Sequence, residues 1–157
     1  MSMRVCVSSL IAVAAALALG ACGGKGTNAT PAVGPTCAPP SGITSVLVYP
    51  APGSSGVNDG NGQIVIGSTA ALPTGTSTDN WNIVVIDSVY PGGTGLPGGL
   101  VTTAPPFPSP NATPPFANPV YQTQAFGAPF QAGQTVNVSV NNQATNCAPL
   151  LLGQFST

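Results

Sequence analysis

The chain has 157 residues, of which only 3% are charged, and it contains no histidine. Two basic and three acidic residues give a formal net charge of −1. Nucleic-acid binding requires clustered Lys or Arg to neutralise phosphates, so this composition argues against a nucleic-acid partner. The length predicts one core and one domain of ordinary size.

The N-terminal 21 residues have the pattern of an export signal. Arg4 supplies a short positive region, and apolar residues then extend to Leu19. A membrane-spanning helix and an ordinary cleaved leader are the alternative interpretations. The run is short for a membrane-spanning helix. The segment Leu19-Gly20-Ala21-Cys22 resembles the lipobox of bacterial lipoproteins.

This resemblance implies cleavage before Cys22 and acylation of that residue, so residues 1–21 are predicted to be a signal peptide. Each buried methylene adds about 0.8 kcal/mol, so a multiply acylated Cys22 would hold the protein permanently on a membrane. Gly23, rather than Asp, follows the cysteine. The resemblance therefore implies a location in the bacterial cell envelope, on the outer membrane where the host has one.

Residues 22–40 are rich in Gly, Thr and Pro and have no period of two or of 3.6. Such a segment is typical of a flexible spacer. We therefore predict a lipid-anchored tether over residues 22–40 and a single β-domain over residues 41–157.

Two cysteines remain after the predicted processing, Cys37 and Cys147. In an exported protein they are expected to form a disulfide. A metal site and a reactive thiol are the alternatives, but two thiolates without histidine make a poor zinc site. No metal and no cofactor are predicted.

From residue 41 onward the sequence indicates strands separated by turns, without helical periodicity. Residues 135–140 alternate, so Val136, Val138 and Val140 are expected to face the core while Thr135, Asn137 and Ser139 face water. The apolar run that follows Trp81 predicts a central strand with Trp81 as a core anchor. The predicted strands are Ile43–Tyr49, Gln63–Gly67, Trp81–Asp87, Val120–Phe126, Thr135–Val140 and Leu150–Phe155.

Two stretches resemble the bacterial immunoglobulin-like domains of envelope and surface proteins. The first is Val46–Val57, with its Pro-x-x-Gly-x-x-x-Val continuation, and the second is Gln131–Val140 together with the closing Gly-x-Phe-x-Thr phrase of residues 153–157. The resemblance implies a single immunoglobulin-like β-sandwich and no particular activity. It also implies that the first strand's later part runs parallel beside the last strand, so a Cys37–Cys147 bridge would join the N-terminal segment to the final strand.

Residues 91–119 form a long connection rich in Gly and Pro. A short strand near residues 99–103 would shorten it, with the proline-rich part in polyproline II form. One interpretation is a binding loop that presents Phe107 and Phe116 to a partner. The other is that the prolines cap a sheet edge while both rings pack on the core.

Groups suited to catalysis are scarce, because the chain lacks His and Glu and its only Lys, Lys25, lies in the predicted tether. A glycoside-cleaving pair would need two of Asp59, Asp79 and Asp87 to converge. Asp59 and Asp79 lie in turn sequences, where short polar side chains bond their own backbone. The run from Asp59 to Gly62 lacks the carboxylates of a calcium loop. We therefore predict a protein that is not an enzyme.

Two hypotheses follow for the molecular role. The first is a structural or protein-interaction module on the envelope. The second is a carbohydrate-binding or adhesive module in which Trp81, Tyr90, Tyr121 or the loop phenylalanines stack on sugars. A coplanar row of exposed aromatic side chains would favour the second hypothesis, and buried aromatic side chains would favour the first.

Overall fold

A computed structural model describes residues 34–157, which form two four-stranded antiparallel sheets without helices. The predicted signal peptide, Cys22 and the tether up to residue 33 lie outside the described residues. Within residues 34–157, no helix has the length and hydrophobicity to cross a membrane. The strands are β1 (Ser45–Tyr49), β2 (Gln63–Ser68), β3 (Trp81–Ile86), β4 (Thr94–Gly95), β5 (Val101–Thr103), β6 (Val120–Ala125), β7 (Thr135–Asn142) and β8 (Leu150–Ser156).

The strand order identifies the type of sandwich. The first sheet has the order β1-β2-β6-β5 and the second has the order β4-β3-β7-β8. Labelled A to G along the chain, with β4 as C′, these are the A-B-E-D and C′-C-F-G sheets of immunoglobulin-type domains. The predicted immunoglobulin-like β-sandwich is therefore confirmed.

The core lies between the sheets and follows the alternation of β7. Val136, Val138 and Val140 are fully buried, and Trp81 at the start of β3 is 1% exposed, as predicted. The expectation that Ser139 faces water is wrong, because this residue is 2% exposed. Its small side chain lies on a central strand between the larger Val84 and Leu151 of the neighbouring strands.

Gln124 of β6 reaches across the core to the opposite sheet. Its Oε1 accepts the N–H of Ile83 in β3 at 2.8 Å, and its Nε2 donates to the carbonyl oxygens of Leu96 at 2.6 Å and Gly98 at 2.9 Å. Gln124 is 3% exposed. One side-chain amide therefore satisfies two buried backbone groups, those of Ile83 and Leu96, and the more accessible Gly98 carbonyl. The short strand β4 pairs only with Val84 and Val85.

Gln122 of β6 plays a similar part for the connection between β2 and β3. Its Oε1 accepts the Leu72 N–H at 2.7 Å, and its Nε2 donates to the Leu72 carbonyl at 3.0 Å. Leu72 is 1% exposed. This two-point contact replaces the strand partner that a buried backbone segment would otherwise need.

Cys37 and Cys147 form a disulfide with their Cα atoms 4.9 Å apart, which confirms the predicted pair. Thr36 pairs in parallel with Ala148 just before β8. The Cys37 N–H donates to the Ala148 carbonyl at 2.7 Å, and the Ala148 N–H donates to the Pro35 carbonyl at 3.0 Å. The N-terminal segment is thus joined to the start of β8, and its contacts with the domain begin before residue 41.

The free edge of β8 is covered by residues 53–57, which follow β1. The Gly53 N–H donates to the Gln154 carbonyl at 2.7 Å, and the Val57 N–H donates to the Ser156 carbonyl at 3.1 Å. Residue numbers increase together on both partners, so the direction is parallel. This is the arrangement expected for the later part of the first strand.

The proline-rich segment (residues 104–119) lies over the first sheet and reaches the free edge of β1. The Ala112 N–H donates to the Val48 carbonyl, and the Ala51 N–H donates to the Pro110 carbonyl, each at 2.9 Å. Pro114 is buried over the outer face of the sheet. The segment therefore covers part of the free edge of β1, with one hydrogen bond to the strand and one to the residues that follow it.

Candidate functional site

A pocket of about 220 Å³ lies where β3 ends and where β6 turns into β7. β7 begins at this end of the sandwich and ends near the disulfide. Its eight residues span roughly 25 Å, so the pocket and the disulfide occupy opposite ends. The lining includes Asp87, Val89, Tyr90, Phe126, Phe130 and Gln131.

A chain of aromatic rings leads from this pocket into the core. Tyr90 and Phe126 have ring centroids 5.9 Å apart with planes tilted by 57°, and Phe126 lies 5.9 Å from Phe130. Phe130 contacts the buried Phe155 edge-on at 5.5 Å. Tyr90 is 38% exposed, so the outer end of this series of rings faces solvent. The inner end, at Phe155, is fixed in the core.

Asp87 shapes the rim of the pocket immediately after β3. Its Oδ1 accepts the backbone N–H groups of Val89 and Tyr90, each at 2.8 Å. This is the turn geometry that Asp favours. Among the described residues, no hydrogen bond reaches Oδ2. Asp87 therefore positions Tyr90 with one carboxylate oxygen and leaves the other available at the pocket.

The opposite wall, formed by residues 126–134, is held from two sides. The Phe126 N–H donates to the Gly62 carbonyl at 3.1 Å, and the Gly133 N–H donates to the Thr157 carbonyl at 3.0 Å. The Ser88 hydroxyl and the Gln134 side chain also form a hydrogen bond that connects the two walls. These contacts make the pocket a preformed cavity on a rigid scaffold.

The residues predicted for partner binding lie elsewhere. Phe107 packs edge-on against Tyr121 with ring centroids 4.9 Å apart, on the outer face of the first sheet. Phe116 is half-buried in the proline-rich segment. Neither ring lines the pocket, so a binding role for Phe107 and Phe116 stays a prediction that concerns a different surface.

The three carboxylates occupy turns. Asp59 accepts the backbone N–H groups of Asn61 at 2.9 Å and Gln63 at 3.0 Å. Asp79 accepts the indole N–H of Trp81 at 3.4 Å, at the end of β3 opposite Asp87. Within residues 34–157, no group of three or more His, Cys, Asp or Glu side chains is placed to hold a metal ion.

Sequence reasoning named Asp87 and Tyr90 but missed Phe126 and Phe130. Both rings occur in the turn-rich connection between β6 and β7, Phe-Gly-Ala-Pro-Phe-Gln-Ala-Gly. Two aromatic residues in a short connection that follows a strand were the available signal. Nothing in that pattern, however, places them beside the end of β3.

The fold and the pocket define a disulfide-bridged, immunoglobulin-type β-sandwich with an aromatic cavity at one end. The chain matches no protein-family model, no curated protein and no solved structure. The family resemblances therefore depend on the sequence motifs that carry them.

Tyr49, at the end of β1, has a raised pKa. Burial, followed by the nearby negative charge of Asp59, raises the pKa of Tyr49 to about 12. Tyr49 is 3% exposed and packs with Val48 and Val65. Ionisation of its phenol in the folded protein therefore costs more than in the unfolded chain.

Stability is expected to fall at high pH because of Tyr49. The folded-state pKa exceeds the unfolded value of about 10, so the contribution is complete below pH 10 and is lost as the pH rises toward 12. A shift of about two units corresponds to about 3 kcal/mol. Urea unfolding between pH 9 and pH 12 measures this decline. We expect the decline in the native protein and not in Tyr49→Phe. The half-buried Tyr121→Phe is the control, and an equal decline in Tyr49→Phe would contradict the assignment.

Proposed function

We propose that this protein is a lipoprotein of the bacterial cell envelope, anchored by lipid on Cys22, whose sandwich is a structural or protein-interaction module. The observation that carries the anchoring is the segment Leu19-Gly20-Ala21-Cys22 at the end of an apolar N-terminal run. The Cys37–Cys147 disulfide is consistent with export, because disulfides persist in oxidising compartments.

The position of the pocket supports an interaction role. The chain joins the sandwich beside the disulfide, and the pocket lies at the other end, roughly 25 Å away along β7. The pocket is therefore clear of the point at which the predicted tether enters the domain. Partner-binding surfaces commonly occur on loops at the end of a rigid sandwich.

The aromatic residues favour a protein partner over a flat glycan surface. Trp81 is 1% exposed, and Tyr121 is occupied by Phe107. The rings of Tyr90 and Phe126 are tilted by 57°, so they do not form a coplanar row. Stacking on the face of an extended sugar chain would require such a row.

Acylation tests the proposed anchor directly. The native protein, purified from bacterial membranes, is expected to begin at Cys22 and to carry a lipid on that residue. Cys22→Ser is expected to carry no lipid and to leave the mature membrane-bound pool. Intact mass spectrometry and radiolabelled palmitate incorporation measure both changes.

Cys6→Ser provides the matched control, because Cys6 lies within the predicted signal peptide. This variant should be acylated like the native protein. A native protein that starts at another residue without lipid would refute the anchor, as would palmitate labelling that persists in Cys22→Ser.

A further inference from the structure

We propose that the end pocket binds a cationic side chain, arginine or lysine, of a partner protein. This proposal rests on the proposed interaction role. Two features of the pocket carry this proposal. One is the carboxylate of Asp87 at the rim, and the other is the group of rings formed by Tyr90, Phe126 and Phe130.

The charge of the domain favours a cationic ligand. The chain's two basic residues, Arg4 and Lys25, both precede residue 34. The described residues therefore contain Asp59, Asp79 and Asp87 and no cationic side chain. Both oxygens of Asp59 bond backbone N–H groups, whereas Asp87 uses only Oδ1 in this way. Asp87 thus keeps an oxygen that a guanidinium or ammonium group can reach.

The rings reinforce the preference for positive charge. Aromatic faces carry negative partial charge and attract a cation that lies within about 6 Å of the ring centroid. Tyr90, Phe126 and Phe130 are spaced at 5.9 Å from one to the next. Rings this close contact each other, so a cation would lie over a ring face inside the pocket, whose lining also includes Asp87.

The dimensions of the pocket indicate a single side chain as the occupant. Its volume of about 220 Å³ is below the 300–1,000 Å³ that is usual for small-molecule sites. The rim residues Val89 and Tyr90 are 42% and 38% exposed. The partner's polypeptide chain, from which the bound side chain extends, can therefore leave the pocket across them. These rim residues can then contact the partner's backbone.

Nuclear magnetic resonance titration of the full chain in uncharged detergent tests the proposal. The probe is the peptide acetyl-Gly-Gly-Arg-Gly-Gly-amide, with its lysine analogue and its neutral citrulline analogue as comparisons. We expect saturable shifts of the Tyr90, Phe126 and Phe130 signals with the arginine or lysine peptide. The citrulline peptide, which has the same shape as the arginine peptide but no charge, should bind about tenfold more weakly or not at all.

Two substitutions separate the charge from the rings. Asp87→Asn keeps an oxygen for the Val89 and Tyr90 N–H groups and should weaken binding about tenfold. Asp79→Asn removes the same charge at the other end of β3 and should leave binding unchanged. Tyr90→Leu keeps an apolar side chain on an exposed position but removes a ring, and it should also weaken binding. Unchanged melting temperatures establish that each variant is folded.

Three outcomes would overturn the proposal. They are equal binding of the arginine and citrulline peptides, unchanged affinity in Asp87→Asn, and saturation by tetramethylammonium without binding of either cationic peptide. The last outcome would indicate a site for a small free cation. None of them affects acylation of Cys22, and loss of acylation would not alter peptide binding, so failure of this proposal is distinguishable from failure of the envelope assignment.

Discussion

Gln124→Leu is expected to lower the free energy of unfolding by about 3–5 kcal/mol. Leucine fills similar space but leaves the buried Ile83 N–H and Leu96 carbonyl, and the more accessible Gly98 carbonyl, without their partner. Each buried polar group that loses its hydrogen bond costs about 1–3 kcal/mol. Chemical unfolding in urea at neutral pH, with a fixed slope for native protein and variant, measures the loss.

Gln154→Leu is the matched control for this substitution. Gln154 also lies on a strand, β8, but its side chain is exposed, so its replacement should change stability by less than about 0.5 kcal/mol. If Gln124→Leu were as stable as Gln154→Leu, the interpretation of the core amide as the partner of those three groups would be wrong.

Loss of the Cys37–Cys147 bridge is expected to cost about 2–5 kcal/mol. The bridge joins residues separated by 110 positions, so it restricts a large part of the unfolded chain. It also holds the segment that pairs Thr36 with Ala148. Thermal unfolding of the double variant Cys37→Ala, Cys147→Ala measures the effect as a fall in melting temperature.

Reduction supplies an independent comparison. Dithiothreitol should lower the melting temperature of the native protein toward that of the double variant. The same reagent should leave the double variant unchanged, because its described residues contain no cysteine. A native protein that keeps its melting temperature after complete reduction would show that the bridge adds little to stability.

The strands were predictable because side-chain alternation reports which face is buried. Residues 135–140 alternate, and the observed β7 buries Val136, Val138 and Val140 as expected. The β-branched run after Trp81 predicted β3 in the same way, and the predicted bounds of the six main strands differ from those observed by two residues or fewer. The two-residue strand β4 was missed, because two residues are too few to show a period.

The glutamines of β6 show where sequence reasoning ends. In Val-Tyr-Gln-Thr-Gln-Ala, alternation gives Gln122 and Gln124 one face and Tyr121 and Thr123 the other. Polarity alone would assign the glutamines to solvent, yet both are buried. Their partners are 26 to 50 residues away, so the hydrogen bonds depend on contacts that no local pattern encodes.

The pocket was unpredictable for a related reason. Asp87 and Tyr90 follow β3, whereas Phe126 and Phe130 follow β6, and the two strands belong to different sheets. Only the packing of the sheets brings these connections together. The disulfide could be predicted, because just two cysteines follow the predicted lipobox cysteine.

The covered edges of the sandwich have a consequence for solubility. Exposed strand edges pair with other molecules and lead to aggregation, and many proteins deter this with lysine side chains. The described residues contain no lysine, but residues 53–57 cover β8 and the proline-rich segment covers β1. The remaining edge strands, β4 and β5, are only two and three residues long. A domain with almost no charge can therefore be crowded on a surface without joining its neighbours into continuous sheets.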